Sequence, residues 1–297
     1  MALMPDLGGK GWVNTDKPGG SVFFVGGGTV AYRGKGGSND NDGRTPQNPL
    51  STIAQGILNT VTGRGDTIVL LPGGETITTA LAMSNDDVTI TGVDPNGSKN
   101  PSAITINAAI DGINVTGAGC TIENLHFPAG TSAANTSNIN IAAAGATIRN
   151  CTFNCGAQDL ETITVTSDGD DLTIKDCKFY VTANGPDAAI EIEDTSARLT
   201  VKDCTFWGGD DTNKWDVAAI ASDAIHTECL ILRNTSFWGV GIDFDAAATG
   251  IIAKNYISYH GGTLGSLLDP GSCHCYENYE ADAVDERGRA FPTSAAS

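Results

Sequence analysis

A phrase of eight residues keeps returning along this chain. It reads "CTIENLHF" at 120–127, "ATIRNCTF" at 146–153, "LTIKDCKF" at 172–179, "LTVKDCTF" at 199–206 and "LILRNTSF" at 230–237, with "IIAKNYIS" at 251–258 as a degenerate sixth copy. The closing phenylalanines stand at 127, 153, 179, 206 and 237, so the steps are 26, 26, 27 and 31 residues. Self-similarity at such a period is the mark of a solenoid, in which each repeat packs mainly on its neighbours. Upstream of each copy lies a second short segment: "DGINVTG" (111–117), "SNINIA" (137–142), "ETITVTS" (161–167), "AAIEIED" (188–194), "AAIASD" (218–223) and "VGIDFDA" (240–246). Most of these alternate apolar with polar residues, the period of a strand with one buried face. Helical periodicity and the leucine spacing of a leucine-rich repeat are both missing.

Two or three short strands per turn of this length describe one coil of an all-β, single-stranded right-handed parallel β-helix. Equivalent residues of successive coils then stack ~4.8 Å apart. Within "TIRNCTF", Ile148, Cys151 and Phe153 are expected to point inward, Arg149 and Thr152 outward, with Asn150 at the corner between two strands. The corner column reads Asn124, Asn150, Asp176, Asp203, Asn234 and Asn255. Asn and Asp tolerate the left-handed backbone of a sharp corner, and their side chains bond backbone or one another. This is an asparagine ladder, architectural rather than catalytic. Cys151, Cys177 and Cys204 share one inward position, a stack of small apolar side chains. Buried, reduced thiols suit folding in a cytoplasm.

The stretch "GGSNDNDGRTPQNPLSTIAQGILNTVTGRGDTIVLLPG" (36–73) precedes the repeats. Leu50, Ile53, Ala54, Ile57, Leu58 and Val61 fall on one helical face. Asn48 reads as its N-cap and Pro49 as its first helical residue. This Gly/Asn/Asp loop, Pro-led amphipathic helix and "GDTI" strand resemble the opening of the pectate-lyase-like β-helix superfamily, and the resemblance runs from 21 to about 258. It implies an N-terminal capping α-helix over the open end of the core. It implies no single activity, because the superfamily includes lyases, hydrolases, adhesins and phage spikes. The expected organisation is an N-terminal arm (1–20), an opening strand, loop and capping helix (21–65), the β-helix (66–280) and a C-terminal tail (281–297).

The net charge of −18, from 17 basic against 35 acidic residues, argues against non-specific binding to nucleic acid or an anionic membrane. No apolar run is long enough to span a bilayer. The N-terminus has no basic segment followed by an apolar one, so no signal peptide is expected.

Two outward columns carry charge. On one strand of each coil Glu191, Glu193, Asp223, Asp243 and Asp245 cluster over three coils. On another, Glu123 is followed by Arg149, Lys175, Lys202 and Arg233. Stacked carboxyls suit a glycan site: Glu193, Asp223 and Asp245 would be the catalytic core, with Glu191 and Asp243 binding and Asp210 and Asp216 nearby. Trp207 and Trp215, in the insertion "WGGDDTNKWDVAA" (207–219), would stack on sugar rings. Calcium is the one cofactor such carboxyls would hold; no other cofactor or metal is expected. The "CHC" at 273–275 lacks two further zinc ligands, and "NDNDG" (39–43) reads as a tight turn rather than a calcium loop. No histidine shows a nucleophile partner. Under the alternative reading, Arg149, Lys175, Lys202, Arg233 and Trp12 are interface residues of a homotrimer, where charged strips fix register and reject wrong partners.

Acidic, of one domain, and flanked by polar arms, the chain resembles bacteriophage virion proteins of this superfamily. Its size fits a capsid decoration or cement protein that is non-catalytic, sits on the virion, and engages the major capsid protein through its arms. The alternatives are a polysaccharide lyase or glycoside hydrolase of the tailspike type, and a carbohydrate-binding adhesin that holds a surface glycan.

Overall fold

In the computed structural model the chain winds as a parallel β-solenoid, described over residues 19–26, 36–93, 101–129, 136–156, 161–166, 168–182, 185–210, 213–259, 267–282 and 289–291. One coil shows the plan. Thr147–Arg149 lies on the first face, Thr152–Cys155 on the second and Glu161–Val165 on the third. Stacking such coils builds a ten-stranded first sheet and eight-stranded second and third sheets. Successive strands of a sheet are a full coil apart and run the same way, so the described ladders are parallel. The exception is Arg289–Phe291, which turns back antiparallel along Asn278–Asp282 and pairs with that edge strand.

The core is a set of columns. On the first face Ile68, Ile90, Ile122, Ile148, Ile174, Val201, Ile231 and Ile252 follow one another in register and are buried. On the second, Phe127, Phe153, Phe179 and Phe206 stack at 4.8 Å between ring centroids and within 11° of parallel. Phe237 does not continue this stack. Phe206 pairs with Ser236 and Trp207 with Phe237, so buried Ser236 takes the inward place and Phe237 faces out. That coil is one residue shorter than the spacing of the two phenylalanines, and a one-residue slip exchanges the faces of a strand.

The same slip relocates the asparagine ladder. The left-handed corners are Asn124 (φ 57°), Asn150 (φ 51°), Asp176 (φ 56°) and Asp203 (φ 57°), as expected, but then Arg233 (φ 55°), Lys254 (φ 59°) and Glu277 (φ 52°). Asn234 and Asn255 lie one residue further on, inside the solenoid, where with Asn278 they extend the column of Cys151, Cys177 and Cys204. Three polar side chains fit there because they satisfy one another. Asn255 Oδ1 accepts from the backbone N–H of Asn234 (2.9 Å) and from its Nδ2 (3.1 Å). Asn278 Oδ1 accepts the same pair from Asn255 at 3.0 Å each. The Nδ2 groups also donate to Val201, Ile231 and Ile252 carbonyls. Buried amides bonded on both sides avoid the desolvation cost of burial.

The capping helix is shorter than its apolar pattern, running Ile53–Leu58 with Thr52 as N-cap in place of Asn48. Leu50 remains extended because its N–H donates to the Phe24 carbonyl (2.8 Å) and its carbonyl accepts from Gly26 (2.9 Å). Thr52 Oγ1 accepts from Gln55 N–H (3.2 Å) and the Glu75 carboxylate from Ile53 N–H (2.7 Å). Ile53, Gly56 and Ile57 face the core, whereas Ala54, Leu58 and Val61 are exposed. A side chain at Gly56 would stand 3.1 Å from Ile68 Cγ2, so the glycine sets how closely the helix seats. "NDNDG" is a turn, with Asp42 Oδ1 accepting from Arg44 N–H and Asn39 Oδ1 from Ser51 N–H.

Candidate functional site

On the first face the outward residues form a threonine column, Thr67, Thr89, Thr121, Thr147, Thr173 and Thr200. Beside it runs Glu123, Arg149, Lys175, Lys202 and then Leu232. Arg233 is therefore not the next base in that column. It occupies the corner, where its guanidinium grips the Asp203 carboxylate with two bonds of 2.7 Å. Arg149 is engaged as well, its Nε donating to the Glu123 carboxylate. Arg198 holds Asp171 by the same two-pronged contact, and Arg64 holds buried Asp66. Of the four bases read from the sequence, Arg149, Lys175 and Lys202 keep the outward column expected of them, Arg149 tied to Glu123 and Arg233 displaced to the corner.

The third face gathers carboxyls. Its outward column runs Asn114, Asn140, Thr164, Glu191, Ala221, Asp243 and Asp269. Glu191 is buried, which together with Asp223, Glu161, Glu193 and Asp187 pushes its carboxyl up to about 7. Glu161 reaches about 7 by burial and by Glu193, Asp187 and Asp111. Asp243 is raised by burial, then by Asp269 and Asp223. The fold thus brings Glu191, Glu193, Asp223 and Asp243 into one field and adds Glu161, Asp187 and Asp269, which the repeat pattern did not flag. Glu161 escapes the alternation because it opens its strand. Asp245 instead ties its own turn, accepting from Ala247 N–H at 2.8 Å. Asp210 does the same for Asn213 (2.9 Å), and Asp216 is exposed. A carboxyl that keeps its proton near neutrality can act as a general acid. Among the described residues no group of three or more His, Cys, Asp or Glu side chains converges to hold a metal ion.

The second face carries aromatics. Tyr180, Trp207 and Phe237 follow one another in register, as do Tyr256 and Tyr279 in the neighbouring column. Trp207 and Phe237 are 4.8 Å apart between centroids, and Phe237 and Tyr256 6.2 Å. Trp207, Tyr256 and Tyr279 are between 41% and 50% exposed. Trp215 differs: it is 1% exposed and is a core plug rather than a sugar platform. Its segment folds inward over glycines. A side chain at Gly185 would meet the Lys214 carbonyl, and one at Gly239 would touch the indole. His226 has a hydroxyl partner after all, Ser222 Oγ at 3.0 Å from Nδ1, but both are buried and Ser222 also donates to Ala224. The pair clasps a corner. Trp12, nearly all of the N-terminal arm and most of the C-terminal tail lie outside the described residues.

The family model described as the right handed beta helix region matches residues 59–224. No curated protein matches the sequence. Among solved structures, a rhamnogalacturonan lyase is similar at 9% identity and a TM-score of 0.42, over 90% of this chain and 63% of that one. ORF18 of Geobacillus virus E2 is similar at 14% identity and 0.39, over 79% and 58%. GH136 lacto-N-biosidase from Eubacterium ramulus is similar at 12% and 0.46, over 89% and 68%. The chain spans less than two thirds of the length of the first two. Likenesses this distant carry no argument about activity.

Proposed function

The chain belongs to the right-handed β-helix family, and on that premise we propose that it is a non-catalytic structural protein of a bacteriophage particle, a decoration protein that self-associates on the capsid surface. The observation that carries this reading is the aromatic strip of Tyr180, Trp207, Phe237, Tyr256 and Tyr279 on the second face. Clustered exposed aromatics on a soluble protein mark a contact surface. The stiff stack of coils beneath presents them in fixed register, so little order is lost on docking. The charges at the adjoining corner, Arg233 with Asp203 and Lys254 with Glu277, are already paired within the chain. Lys175 and Lys202 then select the partner, and a cyclic trimer brings different faces of adjacent copies together. The polar termini reach the major capsid protein. Native mass spectrometry tests the self-association: trimers in the wild type and monomers for Trp207→Ser/Tyr279→Ser support the reading, and trimers in both refute it. Binding of the wild type to undecorated phage heads tests the capsid partner.

The carboxyl field of Glu161, Glu191, Glu193, Asp223 and Asp243 favours a second reading, a polysaccharide lyase or glycoside hydrolase. A panel of bacterial surface polysaccharides separates the two. Cleavage that is lost on Glu191→Gln or Asp223→Ala establishes the enzyme, and binding without cleavage an adhesin.

A further inference from the structure

One inward column on the first face ends Cys229, Gly250, Cys273, reading one residue back from the paired Ile251 and His274. The two sulfurs are 3.5 Å apart although a whole coil separates their strands. Gly250 makes this contact. A Cβ there would lie 2.5 Å from Cys229 Sγ, so any other residue at 250 would displace the thiol. Two coil steps, taken with the 3.5 Å sulfur contact, put the two backbones roughly 9 Å apart, beyond the ~7 Å that a disulfide tolerates without backbone movement. Two side chains that meet over such a span must point at each other nearly in line. Cys229 is buried among apolar neighbours and Cys273 is half-buried.

We propose that Cys229 and Cys273 form a two-coordinate site for a soft, thiophilic monovalent cation, with Cu(I) as its best-fitting occupant. Thiolates select soft cations over hard ones. With metal–sulfur bonds of ~2.3 Å, an in-line pair needs its sulfurs ~4.6 Å apart. Reaching that from 3.5 Å takes rotation of the half-buried Cys273 outward, where contraction to a disulfide would need the coils to collapse. Binding releases the thiol protons, so affinity rises with pH. An ion here would pin the last coils of the solenoid to the rest.

The test is anaerobic titration of the reduced full chain with Cu(I), delivered as its acetonitrile complex and followed by thiolate-to-copper charge-transfer absorption against a competing chelator. The expected result is one ion per chain, two sulfur neighbours in X-ray absorption, and at least a ~100-fold loss of affinity in Cys273→Ser. Cys177→Ser, a buried thiol of another column, should bind as the wild type does. Cys273→Ala keeps the test sound if Cys229→Ser misfolds, since Cys273 is half-buried and circular dichroism will report its fold. Undiminished affinity in the Cys273 variants overturns the proposal. So does a site whose affinity follows Cys275 instead, or a wild type that takes up no Cu(I).

Discussion

Replacing Asn255 by alanine should destabilise the C-terminal coils far more than its size implies. Asn255 is the middle rung of the internal amide ladder, 2% exposed. Removing its side chain strips the acceptor from the Asn234 backbone N–H and from one Asn234 amide hydrogen, and the donor from the Ile231 carbonyl. Buried groups left unpaired cost about 1–3 kcal/mol each. Some of this is recovered because Asn234 Nδ2 still reaches the Val201 carbonyl and Asn278 Oδ1 still accepts from the Asn255 N–H. A loss of about 3–5 kcal/mol follows. Cys204→Ala, in the same column, removes one small apolar group and should cost only about 1 kcal/mol. Urea unfolding followed by circular dichroism measures both, with hydrogen exchange placing the Asn255 effect in the last coils. If Asn255→Ala costs no more than Cys204→Ala, the ladder is not what holds those coils together.

The register assignment has its own contrast. Phe179→Ala should cost about 3–5 kcal/mol, and Phe237→Ser, on the outer face, under about 1 kcal/mol, in thermal unfolding. At the capping helix, Thr52→Ala should cost about 1 kcal/mol and Asn48→Ala close to none, by the same assay. Glu75, Glu161 and Glu191 sit at about 7 in the folded chain, against 4.5 for an ordinary glutamate. The folded state holds those protons more tightly than the unfolded one. Their stabilisation is therefore full below about pH 4.5 and is lost as the pH rises through about 7. Half-buried His126 and buried His226 are shifted down and oppose this trend. The readout is thus the difference from Glu191→Gln, which should flatten the decline between pH 5 and 8 by about 1 kcal/mol after solvent screening. An unchanged slope would remove Glu191 from the carboxyl field.

The solenoid was legible because its period is written in the residues the core needs. Phe127, Phe153, Phe179 and Phe206 keep one place per coil, and so do Cys151, Cys177 and Cys204. Reading failed where chemistry and spacing changed together. Between Phe206 and Ser236 the coil length shifts just where cysteine gives way to asparagine, so aligning on the nearest phenylalanine put Asn234 at the corner and Arg233 on the face. An asparagine is polar in any pattern, and only a stacked partner above and below tells an inward rung from a corner. Trp215 sits in an insertion with no counterpart in other repeats, and its burial depends on glycines at 185 and 239, far off in sequence. The carboxyl field was half visible. Glu191 and Asp243 follow the alternation, whereas Glu161 and Asp187 join from strand starts, where alternation gives no guidance. The aromatic strip combines Tyr180, Trp207, Phe237, Tyr256 and Tyr279 from five coils and two columns, a grouping that only the register supplies.

The claim that the second face is the contact surface is tested most directly by hydroxyl-radical footprinting of the free protein and of the protein on the phage head. Trp207, Tyr256 and Tyr279 should be modified readily in the free chain and be protected on the particle, while buried Trp215 stays unreactive in both. Protection confined to Glu193, Asp223 and their neighbours on the third face, with the aromatic strip equally reactive in both states, would contradict it.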